Sequence, residues 1–429
     1  MQNPFSSKMI LRILNLTSIV LVLGYFSSYA SASTVNAASC SQTDVQNAIN
    51  SASMGDTIIV PAGNCTWTGV SLKKAVVLQG AGAGQTNITI NGNQRFTITK
   101  QVAGIIRVQG FSFSASNLSG LPDPIVIDGA WLGTQPVIIQ NNSFTMSGSS
   151  MFSIGVAGGL IFSHNTFTGG WMDFAFSVKD LSNLNSWTTA DSMGTRDTDG
   201  TKNIYIEDNT FNGQSNGTID CDDNCRVVMR HNSFIESGGY NSHGADSSPY
   251  GARHFEIYSN SFTFPDVTCT NGNNSLSNIN QYIWVRGGTG VIFDNSFATL
   301  SSSCWGRKTE VKLSIRGAED DRPQGTCAQV TYPVPHQLGQ SNNGTTDITD
   351  PIYFWGNTGT MQIAGGWGWG NPCGFTWTTF FQWGRDGINP NATGGTAKPA
   401  YAPYAYPHPL ISSGTLRDST PPSVSISLQ

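Results

Sequence analysis

Short apolar alternations recur along this chain, and each closes on the same polar mark. Val137/Ile139, Leu160/Phe162, Ile204/Ile206, Val227/Met229 and Phe255/Ile257 stand five and three positions before an asparagine; before the last asparagine Ile292 stands alone. The asparagines are Asn142, Asn165, Asn209, Asn232, Asn260 and Asn295, each with a phenylalanine two residues on: Phe144, Phe167, Phe211, Phe234, Phe262 and Phe297. Successive asparagines lie 23, 44, 23, 28 and 35 residues apart. A unit of about 22 to 23 residues with insertions in some turns is the pattern of a solenoid.

Residues that alternate along a strand share a face, so the positions three and five before each asparagine point inward together. An asparagine at the bend tolerates a left-handed backbone, and stacked on its counterparts it passes amide hydrogen bonds from coil to coil. The phenylalanine opens the next inward row. A propeller blade needs a longer period of about 40 to 50 residues. The expected fold is therefore all-β, a right-handed parallel β-helix. The 44-residue interval reads as one coil with a long loop, because 179–202 is polar and lacks alternation. Ile352 to Asn357 reads as a late coil.

Val45, Ala48, Ile49 and Ala52 share one helical face over 41–52, with Ser41 or Thr43 as N-cap. A strand ending in a turn follows at once, Thr57-Ile58-Ile59-Val60-Pro61-Ala62-Gly63. This order resembles the start of pectin-lyase-like β-helix proteins, and the resemblance covers about 40–300. It implies an N-terminal helix that caps the first coil and shields its core from water. At the other end Trp367, Trp369, Trp377, Phe380, Phe381 and Trp383 predict an aromatic plug over the last coil. The Pro-Tyr run over 401–409 is expected to lie extended along the side of the helix.

Lys8 and Arg12, an apolar run over 13–26 and Ala30-Ser31-Ala32 have the form of a secretory signal peptide, so 1–32 is expected to be removed. The β-helix domain is then 33–416. Residues 417–429 resemble the linker into an immunoglobulin-like module, cut short. Loss of two basic residues takes the formal charge from −5 to −7, which argues against nucleic acid. Nothing after the leader is apolar enough over ~18 residues to cross a membrane. All eight cysteines, Cys40, Cys65, Cys221, Cys225, Cys269, Cys304, Cys327 and Cys373, follow the cleavage site, which favours disulfides. Cys40 with Cys65 and Cys221 with Cys225 are the expected pairs. The expectation is a secreted or cell-surface monomer.

The ladder also aligns outward positions. Two residues before each asparagine stand Gln140, Ser163, Glu207, Arg230, Tyr258 and Phe293; four before stand Ile138, Ile161, Tyr205, Val228, Glu256 and Val291; one before stand Asn141, His164, Asp208, His231, Ser259 and Asp294. Charge concentrates around Asn209, Asn232 and Asn260, with His243, Arg253 and His254 nearby. Polysaccharide lyases of the resembled fold neutralise a uronate carboxylate with a cation or arginine, and a basic side chain then removes the proton alpha to it. For that chemistry the charged patch offers Arg230, His243, Arg253 and Tyr258 as candidate bases or neutralisers, none of them matching a lyase motif. His231, His254 and Tyr205 are the candidate substrate contacts, and Glu207, Asp208 and Glu256 the candidate calcium ligands. The expected partner is an acidic polysaccharide cleaved by β-elimination.

Two other functions are open. Asp197-Thr198-Asp199-Gly200, Asp222-Asp223 and His243-Gly244 follow the order of polygalacturonase motifs, although Asp197 replaces an asparagine, Ser242 replaces a glycine and no Arg-Ile-Lys follows. That resemblance implies hydrolysis by paired carboxylates. A β-helix of this kind also serves as a non-catalytic glycan-binding adhesin.

Overall fold

The computed structural model describes residues 32–412 except 92–94, 101–103, 116–123, 129–135, 147–151, 156–158, 170–175, 180–202, 214–217, 245–250, 265–280, 299–308, 316–330, 335, 360, 368–373 and 390–393. Residues 1–31 of the leader, the Asp197 motif, the four later cysteines and the 417–429 segment lie outside the described residues.

Three long parallel sheets make the walls of a right-handed parallel β-helix. One coil shows the winding: Val137–Gln140 belongs to sheet A, Ser143–Met146 to sheet B and Phe152–Gly155 to sheet C, and Leu160–Ser163 then returns to sheet A beside Val137–Gln140. Among the described residues sheet A has twelve strands, from Thr34–Asn36 to Gly387–Ile388, and sheets B and C have ten each. Leu160–Ser163 pairs directly with Ile204–Glu207, so the 44-residue interval is one coil. The late coil is present as Ile352–Trp355, which pairs with Thr289–Phe293.

The asparagines form a continuous hydrogen-bond column between sheets A and B. Asn142, Asn165, Asn209, Asn232 and Asn260 each donate a backbone N–H to the next asparagine's Oδ1 at 2.9–3.0 Å. Asn295 does the same to Asn357, which adds a seventh rung. The left-handed residue is not the asparagine, however. It is the one before it: φ is 54° at Asn141, 56° at His164, 57° at Asp208, 55° at His231, 54° at Ser259 and 52° at Asp294. The asparagine must instead aim its amide along the helix axis into the neighbouring coil, and its predecessor makes the turn.

Behind the column the phenylalanines stack from Phe113 through Phe144, Phe167, Phe211, Phe234 and Phe262 to Phe297. Their centroids lie 4.6–5.5 Å apart and their planes within 17°. The strand spacing of ~4.8 Å dictates that offset stack. Ile292 lacks an apolar partner two residues earlier because Gly290 fills that inward position. A Cβ there would stand 2.1 Å from the Phe255 carbonyl and 2.4 Å from its ring. Gly290→Ala is expected to lower stability by about 1–3 kcal/mol through overpacking; equal denaturation midpoints for the two proteins would contradict this.

The helix Gln42–Ser51 buries Val45, Ala48 and Ile49, and Ser41 is the N-cap, its Oγ accepting from Asp44 N–H at 3.2 Å. Cys40 is bonded to Cys65 and Cys221 to Cys225. Late in the chain Phe380 and Phe381 are buried in the core, Trp377 packs against it, and Trp383 is exposed. Residues 401–412 form a strap across the outer face of sheet A. Tyr401 reaches Glu256 in His254–Tyr258, and Leu410 accepts from Arg107 in Ile106–Gln109 at 3.2 Å. Those strands are five spacings apart, roughly 24 Å, within the reach of nine extended residues.

Candidate functional site

The ladder alignment holds on sheet A, and the strap covers what it aligned. Arg230 and Glu207 are fully buried there, with Arg230 Nη2 2.6 Å from Glu207 Oε2. Arg230 also donates to Tyr258 Oη at 2.7 Å, to the Tyr404 carbonyl at 2.7 Å and to the Ala405 carbonyl at 3.0 Å. Glu207 Oε1 accepts the His408 N–H at 3.0 Å. Asp208 accepts the Tyr406 hydroxyl, and Glu256 accepts the Tyr401 hydroxyl. His231 stacks on Tyr406 with centroids 3.6 Å apart, and Tyr205 meets His408 edge-on at 4.8 Å. Burial raises the Glu207 carboxyl, with Arg230 opposing it, and burial holds the His231 imidazole below the usual histidine range. Seven of the ten expected site residues thus fasten a segment of the chain itself.

Arg253 and His254 stand at the entry to the strand His254–Tyr258 and are buried, 0% and 1% exposed. The carboxylates expected to bind calcium have other partners: Glu207 serves Arg230 and a backbone N–H, and Asp208 and Glu256 each accept from a tyrosine of the strap. Among the described residues no group of three or more His, Cys, Asp or Glu is placed to hold a metal.

His243 belongs elsewhere, on the outer face of sheet C. Inward residues Ile219/Cys221, Tyr240, Ile283/Val285 and Val311/Leu313 join the core, which turns the residues between them outward. Strand pairing sets Asp220 beside Asn241, Asn241 beside Trp284 and Trp284 beside Lys312. One step along, Lys179 pairs with Asp222, and His243 and Arg286 directly follow Tyr240–Ser242 and Ile283–Val285.

This face carries a connected polar group around one aromatic ring. His243 Nε2 is 2.9 Å from Asp220 Oδ1 and 3.0 Å from Arg286 Nη2. Arg286 is held by the Ser242 carbonyl at 2.6 Å and Asn241 Oδ1 at 3.2 Å, and Asn241 Nδ2 donates to Asp220 Oδ1 at 3.0 Å. The Trp284 ring has the Arg286 Cζ 4.5 Å and the Lys312 Nζ 4.1 Å from its centroid, and its indole N–H donates to Ser314 Oγ at 2.8 Å. His243 and Asp220 keep 18% and 15% of their side-chain surface exposed, where Arg230 and Glu207 keep none. An imidazole, cations and an aromatic face can seat and deprotonate an anionic sugar.

Asp222 and Asp223, the carboxylates of the hydrolase-like motif, both lie 3.4 Å from Lys179 Nζ beside the Cys221–Cys225 bridge. Burial pulls the Lys179 ammonium down, and the two carboxylates outweigh it, leaving it above the usual lysine range. Asp220, Asn241, Trp284, Arg286 and Lys312 escape the ladder because their strands keep no constant offset from it: Asp220 is 11 residues after Asn209, Trp284 is 24 after Asn260. The signal that finds them is a polar or aromatic residue between two inward ones, as in Ile219-Asp220-Cys221, Ile283-Trp284-Val285 and Val311-Lys312-Leu313.

No protein-family model and no curated protein matches the chain. Among solved structures, it is similar to a PL6 family polysaccharide lyase from Pseudopedobacter saltans at 13% identity and a TM-score of 0.41, over 78% of this chain and 77% of that one. A PL6 family alginate lyase is similar at 15% identity and 0.41, over 77% of this chain and 43% of that one. The A-module of a mannuronan C-5 epimerase from Azotobacter vinelandii is similar at 15% identity and 0.40, over 77% and 92%. At these TM-scores the fold rests on the pairing of the three sheets, and the chemistry on the residues of sheet C.

Proposed function

We propose that the protein is an exported polysaccharide lyase that binds an acidic glycan on the outer face of sheet C and cleaves it by β-elimination. The observation that carries this reading is His243 standing 3.0 Å from Arg286 beside a tryptophan flanked by Arg286 and Lys312. The cations attract a uronate carboxylate and stabilise charge that develops on it when the neighbouring carbon loses its proton. His243 takes that proton. The C–H electron pair becomes the new C=C bond, the C–O bond to the leaving sugar breaks, and the leaving oxygen takes a proton from water. Paired disulfides fit an oxidising compartment, and among the described residues no helix is long and apolar enough to cross a membrane.

The test incubates the protein from Ser33 onward with polyuronates and neutral glycans, with and without calcium. Elimination raises the ultraviolet absorbance of unsaturated products. Reducing ends without absorbance indicate hydrolysis, and retention of glycan without either product indicates an adhesin; each outcome overturns the lyase. His243→Gln is expected to lower the elimination rate by about 10²–10⁴-fold, and an unchanged rate removes His243 from the chemistry.

A further inference from the structure

The outward residues of sheet B stand in two columns of unbroken register. The first is the residue directly after each ladder asparagine: Ser143, Thr166, Thr210, Ser233, Ser261 and Ser296 pair in succession from coil to coil. The second lies two residues further along each strand, where Ser114, Thr145, Thr168 and Asn212 pair in the same way, and Ile235 and Thr263 continue the row. Coils repeat every ~4.8 Å, and residues two apart on a strand lie about 6.6 Å apart, so the hydroxyls occupy a two-dimensional grid. The phenylalanines between the columns keep that grid close to flat. From Phe144 to Phe297 their planes turn by 5–17° at each step, where neighbouring strands commonly rotate by about 20–25°.

The composition of the face narrows what it can meet. At the described positions neither column holds an acidic, basic or aromatic residue. Thr145, Thr166, Thr168, Thr263 and Ser296 are exposed. Among the described residues the hydroxyls of Thr145, Thr166, Thr168 and Thr210 have no partner within the chain. A face without charge suits a neutral occupant, and a grid regular in both directions suits one that is itself periodic. A crystalline polysaccharide has both properties, but sugar rings are held by aromatic faces, and this surface has none. Each hydroxyl offers one donor and two acceptor sites, as a water molecule does in kind. Threonine is stiff about its first side-chain bond, so the array is ordered before contact. A single hydroxyl gains little by exchanging one water for another; a grid gains because its rungs engage together. The neutral solid that repeats in two directions and consists only of donors and acceptors is ice.

We propose that the outer face of sheet B is an ice-binding surface, with the water of a crystal face hydrogen-bonded along the two hydroxyl columns. It is separate from the reaction on sheet C and does not depend on it.

The test cools the protein from Ser33 onward around a single ice crystal and reads the gap between melting and growth temperatures, together with crystal shape. The wild type is expected to open a gap that widens with protein concentration and to facet the crystal. Thr168→Lys puts a long charged side chain into the second column and is expected to remove most of the gap. Thr345→Lys, in the exposed link between Gln340–Asn342 and Asp347–Thr349, is expected to leave it unchanged. Ice growth at the melting temperature with the wild type, or an equal gap in Thr168→Lys, overturns the proposal. Retention on crystalline cellulose without a gap assigns the face to a polysaccharide surface. A mass that doubles with concentration, without a gap, and falls back in Thr168→Lys assigns it to a second copy of the chain. Either result overturns the ice reading. Should Thr168→Lys not fold, Thr263→Lys, three rungs away in the same column, carries the same test.

Discussion

Arg230→Met is expected to destabilise the protein by about 3–5 kcal/mol, because it leaves the Glu207 carboxylate buried without its partner. Arg230 is fully buried against Glu207, and it also holds Tyr258 and the carbonyls of Tyr404 and Ala405. The same substitution should therefore loosen the strap, read as faster proteolysis within 401–412. Its pH dependence follows from the sign of the Glu207 shift. Burial already raises that carboxyl and Arg230 opposes the rise, so without Arg230 the folded carboxyl moves further above its unfolded value. A group raised in this way contributes stability that is present below its unfolded pKa and lost as pH climbs through the folded one. The deficit of Arg230→Met relative to wild type should thus shrink in acid, where Glu207 binds a proton. The double replacement Glu207→Gln with Arg230→Met should recover most of the loss, since no charge is then left buried. A loss below about 1 kcal/mol, typical of an exposed pair, would show the strap to be open in solution.

The second large effect is expected at the centre of the asparagine column. Asn232 Oδ1 accepts the backbone N–H of Asn209 and its side-chain Nδ2, both at 3.0 Å. Its own Nδ2 donates to the carbonyls of Ile206 and Arg230 and to Asn260 Oδ1, at 2.8–3.0 Å. Asn232→Ala strips partners from both neighbouring coils, and each buried orphan costs about 1–3 kcal/mol, so the loss is expected to reach about 4 kcal/mol. Among the described residues Asn357 is the last rung of the column, beside Asn295. Its replacement should cost less and should raise amide exchange chiefly in the late coils, because a solenoid coil feels mainly its neighbours. Equal costs at the two positions would refute a coil-by-coil column.

How far the chain could be read depended on whether the feature was periodic. Alternation before each asparagine was enough for the winding, the inward rows and the phenylalanine stack, since those repeat with the strand spacing. The outward column held a warning that its composition carries: Ile138, Ile161, Val228 and Val291 are apolar and buried although they point away from the core. An apolar row on an outer face means that something covers it. Tyr401, Tyr404, Leu410 and Ile411 supply the cover, and the Pro-Tyr composition of that segment was visible, but not its partner. The left-handed residue stands one position before the one the sequence suggests, because asparagine tolerates that backbone well but its amide is needed here for the column.

The sequence by itself determined the solenoid, its register on sheet A and the first helix, and its cysteine spacing pointed to the Cys40–Cys65 bridge. These depend on local spacing, and a strand's two-residue alternation repeats wherever the chain coils. Only the tertiary structure decided that Arg230, Glu207 and Tyr258 hold the strap and that His243 joins Asp220, Arg286 and Trp284. Both depend on contacts across variable loops or across the 174 residues between Arg230 and Tyr404. No repeat encodes such distances; they are set where the folded coils bring the side chains within hydrogen-bond reach.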